Sequence, residues 1–116
     1  MRDYNSPKRF IMIIRFGTDE PLRTRVKESA PKIKDIIEQY CPDEYQLAFT
    51  TNDGSTFAYV IKTKTNIHTI SKVLRGTLRD GPQTSILLDD DFYLFAELGK
   101  DFSGSHSKAA TWFQHH

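Results

Sequence analysis

The chain has 116 residues, a formal net charge of +1 and a single cysteine, Cys41. That length suits one domain over 1–116 with a core that needs no disulfide or structural metal, and a lone cysteine excludes an internal disulfide and fits a reducing compartment. A charge so near zero gives no net field for nucleic acid, so any such contact has to come from a local patch.

Residues 1–8 form a polar lead-in without the apolar stretch of a signal peptide. The first strand is expected over Arg9–Phe16, where Phe10-Ile11-Met12-Ile13-Ile14 runs without polar alternation. Gly17 breaks it, Thr18 or Asp19 is placed to cap a helix, and Pro21 suits a first helical position. The first helix is expected from Pro21 to Tyr40. Leu22, Val26, Ala30, Ile33, Ile37 and Tyr40 recur there at steps of three and four. Pro31 removes a backbone donor inside that pattern, so a kink or two abutting helices is expected.

Tyr45–Thr51 reads as the second strand and Ser55–Lys64 as the third, joined by the turn signal Asn52-Asp53-Gly54. Asn66 is placed to cap a second helix, Ile67–Arg79, closed by Gly81-Pro82. Thr84–Leu88 reads as a fourth strand. Asp89-Asp90-Asp91 interrupts it, and Phe92–Ala96 resumes as a fifth strand or a continuation past a bulge. Residues 100–116 form a tail carrying Trp112 and Phe113.

The order β-α-β-β-α-β is the ferredoxin-like pattern: an α+β protein with an antiparallel sheet, here followed by a C-terminal strand and an aromatic tail. Right-handed crossovers put both helices on one face of the sheet. Yet Phe10–Ile14 and Phe57–Ile61 are apolar at every position, the mark of strands covered on both sides. A second copy of the chain is the economical cover, with Phe10, Met12, Ile14, Ala58 and Val60 as the expected interface. Which alternate set points which way stays open from sequence alone.

His68, Lys72, Arg75 and Arg79 recur at steps of four, three and four, which on a helix makes one cationic stripe. Arg23, Lys27 and Lys34 add a second on the first helix. Such stripes could contact phosphates; the plainer reading is a solvated face. Asp89-Asp90-Asp91 has carboxylates for a divalent cation, but successive side chains of an extended chain diverge, and a turn that discourages edge pairing is simpler. His106, His115 and His116 sit in a tail that offers no fixed ligand geometry. Trp112 and Phe113 read as an anchor for the tail, on its own subunit or across a dimer. Cys41 reads as a partly buried thiol.

The run Ser55-Thr56-Phe57-Ala58-Tyr59-Val60-Ile61-Lys62-Thr63, the helix after it, the aromatic segment Tyr93–Ala96 and the Trp-containing end Ser107–Phe113 resemble the SinR-like and VapD-like ferredoxin-fold proteins. These are relatives of the small subunit of the CRISPR adaptation complex. The resemblance implies a homodimer with sheets packed face to face, in a mobile-element, toxin–antitoxin or phage–host setting. Several members are endoribonucleases or DNA-binding scaffolds, with an Asp at the end of the first strand that holds a metal ion. Here that position falls near Phe16, and the nearest carboxylates are Asp19 and Glu20. The departure weighs against nuclease chemistry, for which Asp19 would be the candidate catalytic residue and a divalent cation the cofactor.

The expectation is therefore a cytoplasmic homodimeric binding protein without enzymatic activity or cofactor, with RNA or DNA as a possible ligand. A metal-dependent endoribonuclease and a module that inhibits a partner enzyme are the alternatives.

Overall fold

The structure, a computed structural model, describes residues 7–99 except 43, 80, 82 and 83. The expected tail, with Trp112, Phe113 and His106, His115 and His116, lies outside the described residues.

Strand β1 (Lys8–Arg15) leads to helix α1, built of Leu22–Thr24, a π turn at Arg25–Ser29 and Ala30–Tyr40. Strands β2 (Tyr45–Thr50) and β3 (Thr56–Thr63) come next, then helix α2 (Ile67–Arg75) and strand β4 (Phe92–Glu97). The four strands form one antiparallel sheet in the order β2-β3-β1-β4. This α+β arrangement is compatible with a ferredoxin-like fold. No helix of the described residues is long and apolar enough to cross a membrane.

The register settles the two-faced strands. In β1, Phe10, Met12 and Ile14 pair with Ile61, Tyr59 and Phe57 of β3. All three join the core cluster with Ile33, Ile36 and Ile37 of α1 and Ile70, Val73 and Leu74 of α2. They are only 7%, 0% and 0% exposed. The expected interface thus divides: these three residues lie under the helices and cannot contribute to an interface through the opposite face. Ala58 and Val60 pair with Ile13 and Ile11 and point the other way.

The discontinuity expected from Pro31 appears as the π turn just before it. The Ala30 N–H reaches back five residues to the Arg25 carbonyl, so the helix is already widened where proline offers no donor. No side chain caps the start of α1, and Pro21 occupies the flanking position, so Thr18 and Asp19 do not serve as caps. The N–H groups of that loop go instead to Asp90 and Asp91. Asn66 does cap α2, its side chain accepting from the His68 N–H at 2.8 Å.

α2 ends at Arg75 rather than Arg79. Gly76 takes the left-handed conformation (φ 69°), and its N–H and that of Thr77 return to the Lys72 carbonyl, a closure that glycine makes at least cost.

Thr84–Leu88 is not a strand. The N–H groups of Ile86 and Leu87 both donate to the Leu74 carbonyl at the end of α2 (2.9 and 3.0 Å). Leu87 drops into the core. The segment is a strap across the helix end, and β4 alone completes the described sheet.

Candidate functional site

The sheet face away from the helices has no helix packed on it among the described residues. Across the strands it reads Ala96–Ile11–Val60–Gln46 in one row and Leu94–Ile13–Ala58–Phe49 in the next. Phe92, Arg15 and Thr56 make a third row. A register shift between Leu47 and Phe49 makes Ala48 a bulge, and this lets both Ala48 and Phe49 meet the face. The cluster around Val60 draws on Ile11, Ala48 and Leu98 and on no helix residue. Val60 and Ala58 are themselves buried, whereas Phe49, Phe92 and Leu94 are 45%, 47% and 46% exposed. The accessible apolar surface therefore sits mainly on the two edge strands, around an interior of small and β-branched residues. Arg9 and Lys62 stand across from each other at one end of the face and Arg15 at the other.

The cationic residues are distributed differently from the sequence expectation. His68, Lys72 and Arg75 are exposed on α2. Arg79 is exposed too, but it lies beyond the Gly76 cap, so the helical stripe stops at Arg75. No Asp or Glu occurs between Asp53 and Asp80, so the solvent side of α2 carries cations alone. Arg23, Lys27 and Lys34 are exposed on α1, where Glu28, Asp35 and Glu38 alternate with them. The π turn also falls between Arg23 and Lys34, which breaks the spacing that would align them.

Sequence spacing does not single out Arg25. It looks like one more cation of α1, yet it is 1% exposed. Its guanidinium grips Asp91 through both nitrogens, Nη1 to Oδ1 at 2.9 Å and Nη2 to Oδ2 at 2.5 Å, with both side chains buried. Nη2 also donates to the Ile86 carbonyl, and Nε to Ser29 Oγ. The group lies 4.5 Å from the centre of the Phe16 ring, a cation–π stack that arginine favours. Asp91 further accepts from the N–H groups of Gly17 (2.7 Å) and Leu88 (2.8 Å). Burial alone would raise the Asp91 carboxyl, but the guanidinium and those two N–H donors outweigh it and hold the group below the usual carboxylate range.

Next to it, Asp90 Oδ2 accepts from the N–H groups of Thr18 (2.6 Å) and Asp19 (2.8 Å). A Cβ on Gly17 would meet Asp90 Cγ at 2.1 Å, so this close approach requires glycine. Two of the three consecutive aspartates are thus bound to the protein's own donors. Among the described residues no group of three or more His, Cys, Asp or Glu is gathered to hold a metal ion. The Asp19 carboxylate belongs to an exposed residue in the loop after β1.

Cys41 is buried, and that burial pushes its thiol up to about 11, a little offset by Thr63. A thiol so protonated is no nucleophile at neutral pH. Tyr93 moves the other way: the Ser71 hydroxyl, 2.9 Å from its phenol oxygen, lowers its pKa, burial opposes, and Arg75 adds to the lowering. Nothing in the sequence spacing points to that pair, because Ser71 and Tyr93 are 22 residues apart.

Compared with known proteins, the chain matches no family model, no curated protein and no solved structure.

Proposed function

We propose that this chain is a ferredoxin-like binding protein, without enzymatic activity, that works as a homodimer joined through the sheet face that no described helix covers. The observation that carries the reading is the row Leu94–Ile13–Ala58–Phe49 with its neighbours Phe92 and Ile11, an apolar face that no described helix covers. Phe49, Phe92 and Leu94 are large apolar residues left nearly half exposed on this face, and exposed apolar groups clustered together mark association sites. Projecting Phe49 and Leu94 beside the small residues Ala58 and Ala96 offers a relief that a twofold-related copy can fill. In such a dimer the helices face outward. The solvent side of α2, with His68, Lys72 and Arg75 and no carboxylate of its own, then supports RNA or DNA as the ligand through contacts to the phosphate backbone. The resemblance to SinR-like and VapD-like proteins is the support for a mobile-element, toxin–antitoxin or phage–host setting.

The test is light scattering on purified protein, followed by binding to short RNA and DNA across a salt series. A dimer is expected, converted to monomer by Ile13→Asp, with binding that weakens steeply as salt rises and is lost in Lys72→Glu/Arg75→Glu. A monomer that turns into dimer or aggregate when residues 100–116 are removed would overturn the dimer, because the tail would then be the cover. A dimer that ignores nucleic acid at low salt would overturn the ligand and direct the search to a protein partner.

A further inference from the structure

On the helix side of the sheet, away from the proposed dimer face, a recess of about 580 Å³ opens between α1, α2 and the strap that crosses the end of α2. Its volume is in the range of small-ligand sites. Its floor is apolar, made by Ile36 of α1, Val73 of α2, and Ile86 and Leu88 of the strap. The floor residues are held firmly: Ile86 by its bond to Leu74 and by the Arg25 guanidinium on its carbonyl, and Leu88 by Asp91. Arg25 is part of the lining, but Asp91 neutralises it. The charge left at that end belongs to Glu20 and Glu28, which are exposed and in no ion pair with another described residue. Lys32, also exposed, stands one helical turn beyond Glu28, and Tyr40 lines the recess further along α1. The walls therefore pair a preformed aliphatic floor with a local excess of negative charge at one end.

We propose that this recess is a binding site for a small molecule with an aliphatic body and a cationic head, the class of a primary alkylammonium. The head lies between Glu20 and Glu28, and the chain lies along Ile36, Val73, Ile86 and Leu88. An alkyl carboxylate of the same length would meet both glutamates, with Arg25 already paired and Lys32 the one remaining cation among the described lining residues. The recess is preformed because the buried ion pair and the strap fix two of its walls, so the ligand has no ordering of the protein to drive.

The probe is octylammonium, with octanoate as its charge-reversed counterpart, titrated into methyl-labelled full-length protein and read by methyl chemical shifts. Octylammonium is expected to give saturable shifts at Ile36, Val73, Ile86 and Leu88, and octanoate none that saturate. Glu20→Gln/Glu28→Gln, both at exposed positions that leave the core intact, is expected to weaken octylammonium by about fivefold. Equal binding of octanoate, or octylammonium binding that the double variant leaves unchanged, would overturn the charge assignment. Absence of saturable shifts with either probe, or shifts centred on Ile11, Ile13 and Leu94, would overturn the site itself.

Discussion

The two faces of β1 are nearly identical in composition and opposite in fate. Phe10, Met12 and Ile14 are sealed beneath two helices, while Ile11 and Ile13, one residue away, stay half-buried on a face without a described cover. A β-branched or aromatic side chain records only that a position is suited to a pleated, dry surface. It does not record what dries it. On one face the chain supplies its own cover from Ile33, Ile36, Ile37, Ile70, Val73 and Leu74; on the other the side chains wait at the level of strands alone. The first face is where stability resides, and the second is where association is proposed.

Adjacent substitutions with the same chemistry give the largest separation between the faces. Ile14→Asp places a charge with no partner in the core and should abolish folding, read as loss of cooperative thermal unfolding. Ile13→Asp should leave a folded protein with a thermal midpoint close to that of the parent and change only its mass in light scattering. If both variants unfold, Ile13 is covered within the subunit and the contrast between the faces collapses.

The next effect in size concerns the buried pair. Asp91→Asn leaves the Arg25 guanidinium desolvated and without its counter-charge, a loss of about 3–5 kcal/mol by the usual behaviour of such pairs, to be measured by urea denaturation. The pH dependence has a definite sign. Because the folded Asp91 carboxyl titrates below its ordinary value, its stabilisation is complete above the unfolded pKa of about 3.9 and disappears as pH falls through the folded value. Acid unfolding of the parent should therefore show an Asp91 component that Asp91→Asn lacks.

A smaller effect belongs to the cap of α2. Asn66→Ala removes the side-chain acceptor for the His68 N–H and should cost about 1 kcal/mol, without changing the oligomeric state. The smallest should come from Leu94→Ala at the exposed edge of the open face: within about 0.5 kcal/mol for the subunit, yet measurable as weaker self-association. A Leu94→Ala variant that loses stability without losing mass would blur the comparison.

Much of the fold is legible in the sequence, and the exceptions have physical causes. β1, β3 and the hairpin turn are visible because their apolar runs are bounded by strong turn residues such as Asn52, Asp53 and Gly54. Face assignment is not, since Phe10–Ile14 is apolar at every position and carries no alternation to phase. Thr84–Leu88 reads wrongly as a strand because Ile86, Leu87 and Leu88 suit one equally well; what decides their state is the Leu74 carbonyl at the end of α2, a group supplied by a different element. Spacing overstates the extent of α2 because Leu78 and Arg79 keep the helical period past Gly76, and the left-handed glycine ends the helix regardless. Of the site residues, the α2 cations are legible from the absence of acidic neighbours. Arg25 is not: at sequence level it is indistinguishable from Arg23 or Lys27, and only the fold brings Asp91 to it.

That ion pair also bears on how fast the molecule can come apart. Arg25 and Asp91 are 66 residues apart, one on helix α1 and the other in the turn that leads into β4. A contact closing so long a stretch of chain is more readily made late than early, because the entropy of closure has to be met before the contact returns anything. Its weight should therefore fall on the barrier to unfolding rather than on the rate of folding. In stopped-flow denaturant jumps, Asp91→Asn should speed the escape from the native state while leaving the refolding limb almost where it was. The aspartate turn would then act as a latch, setting the lifetime of the folded state rather than the speed with which it forms.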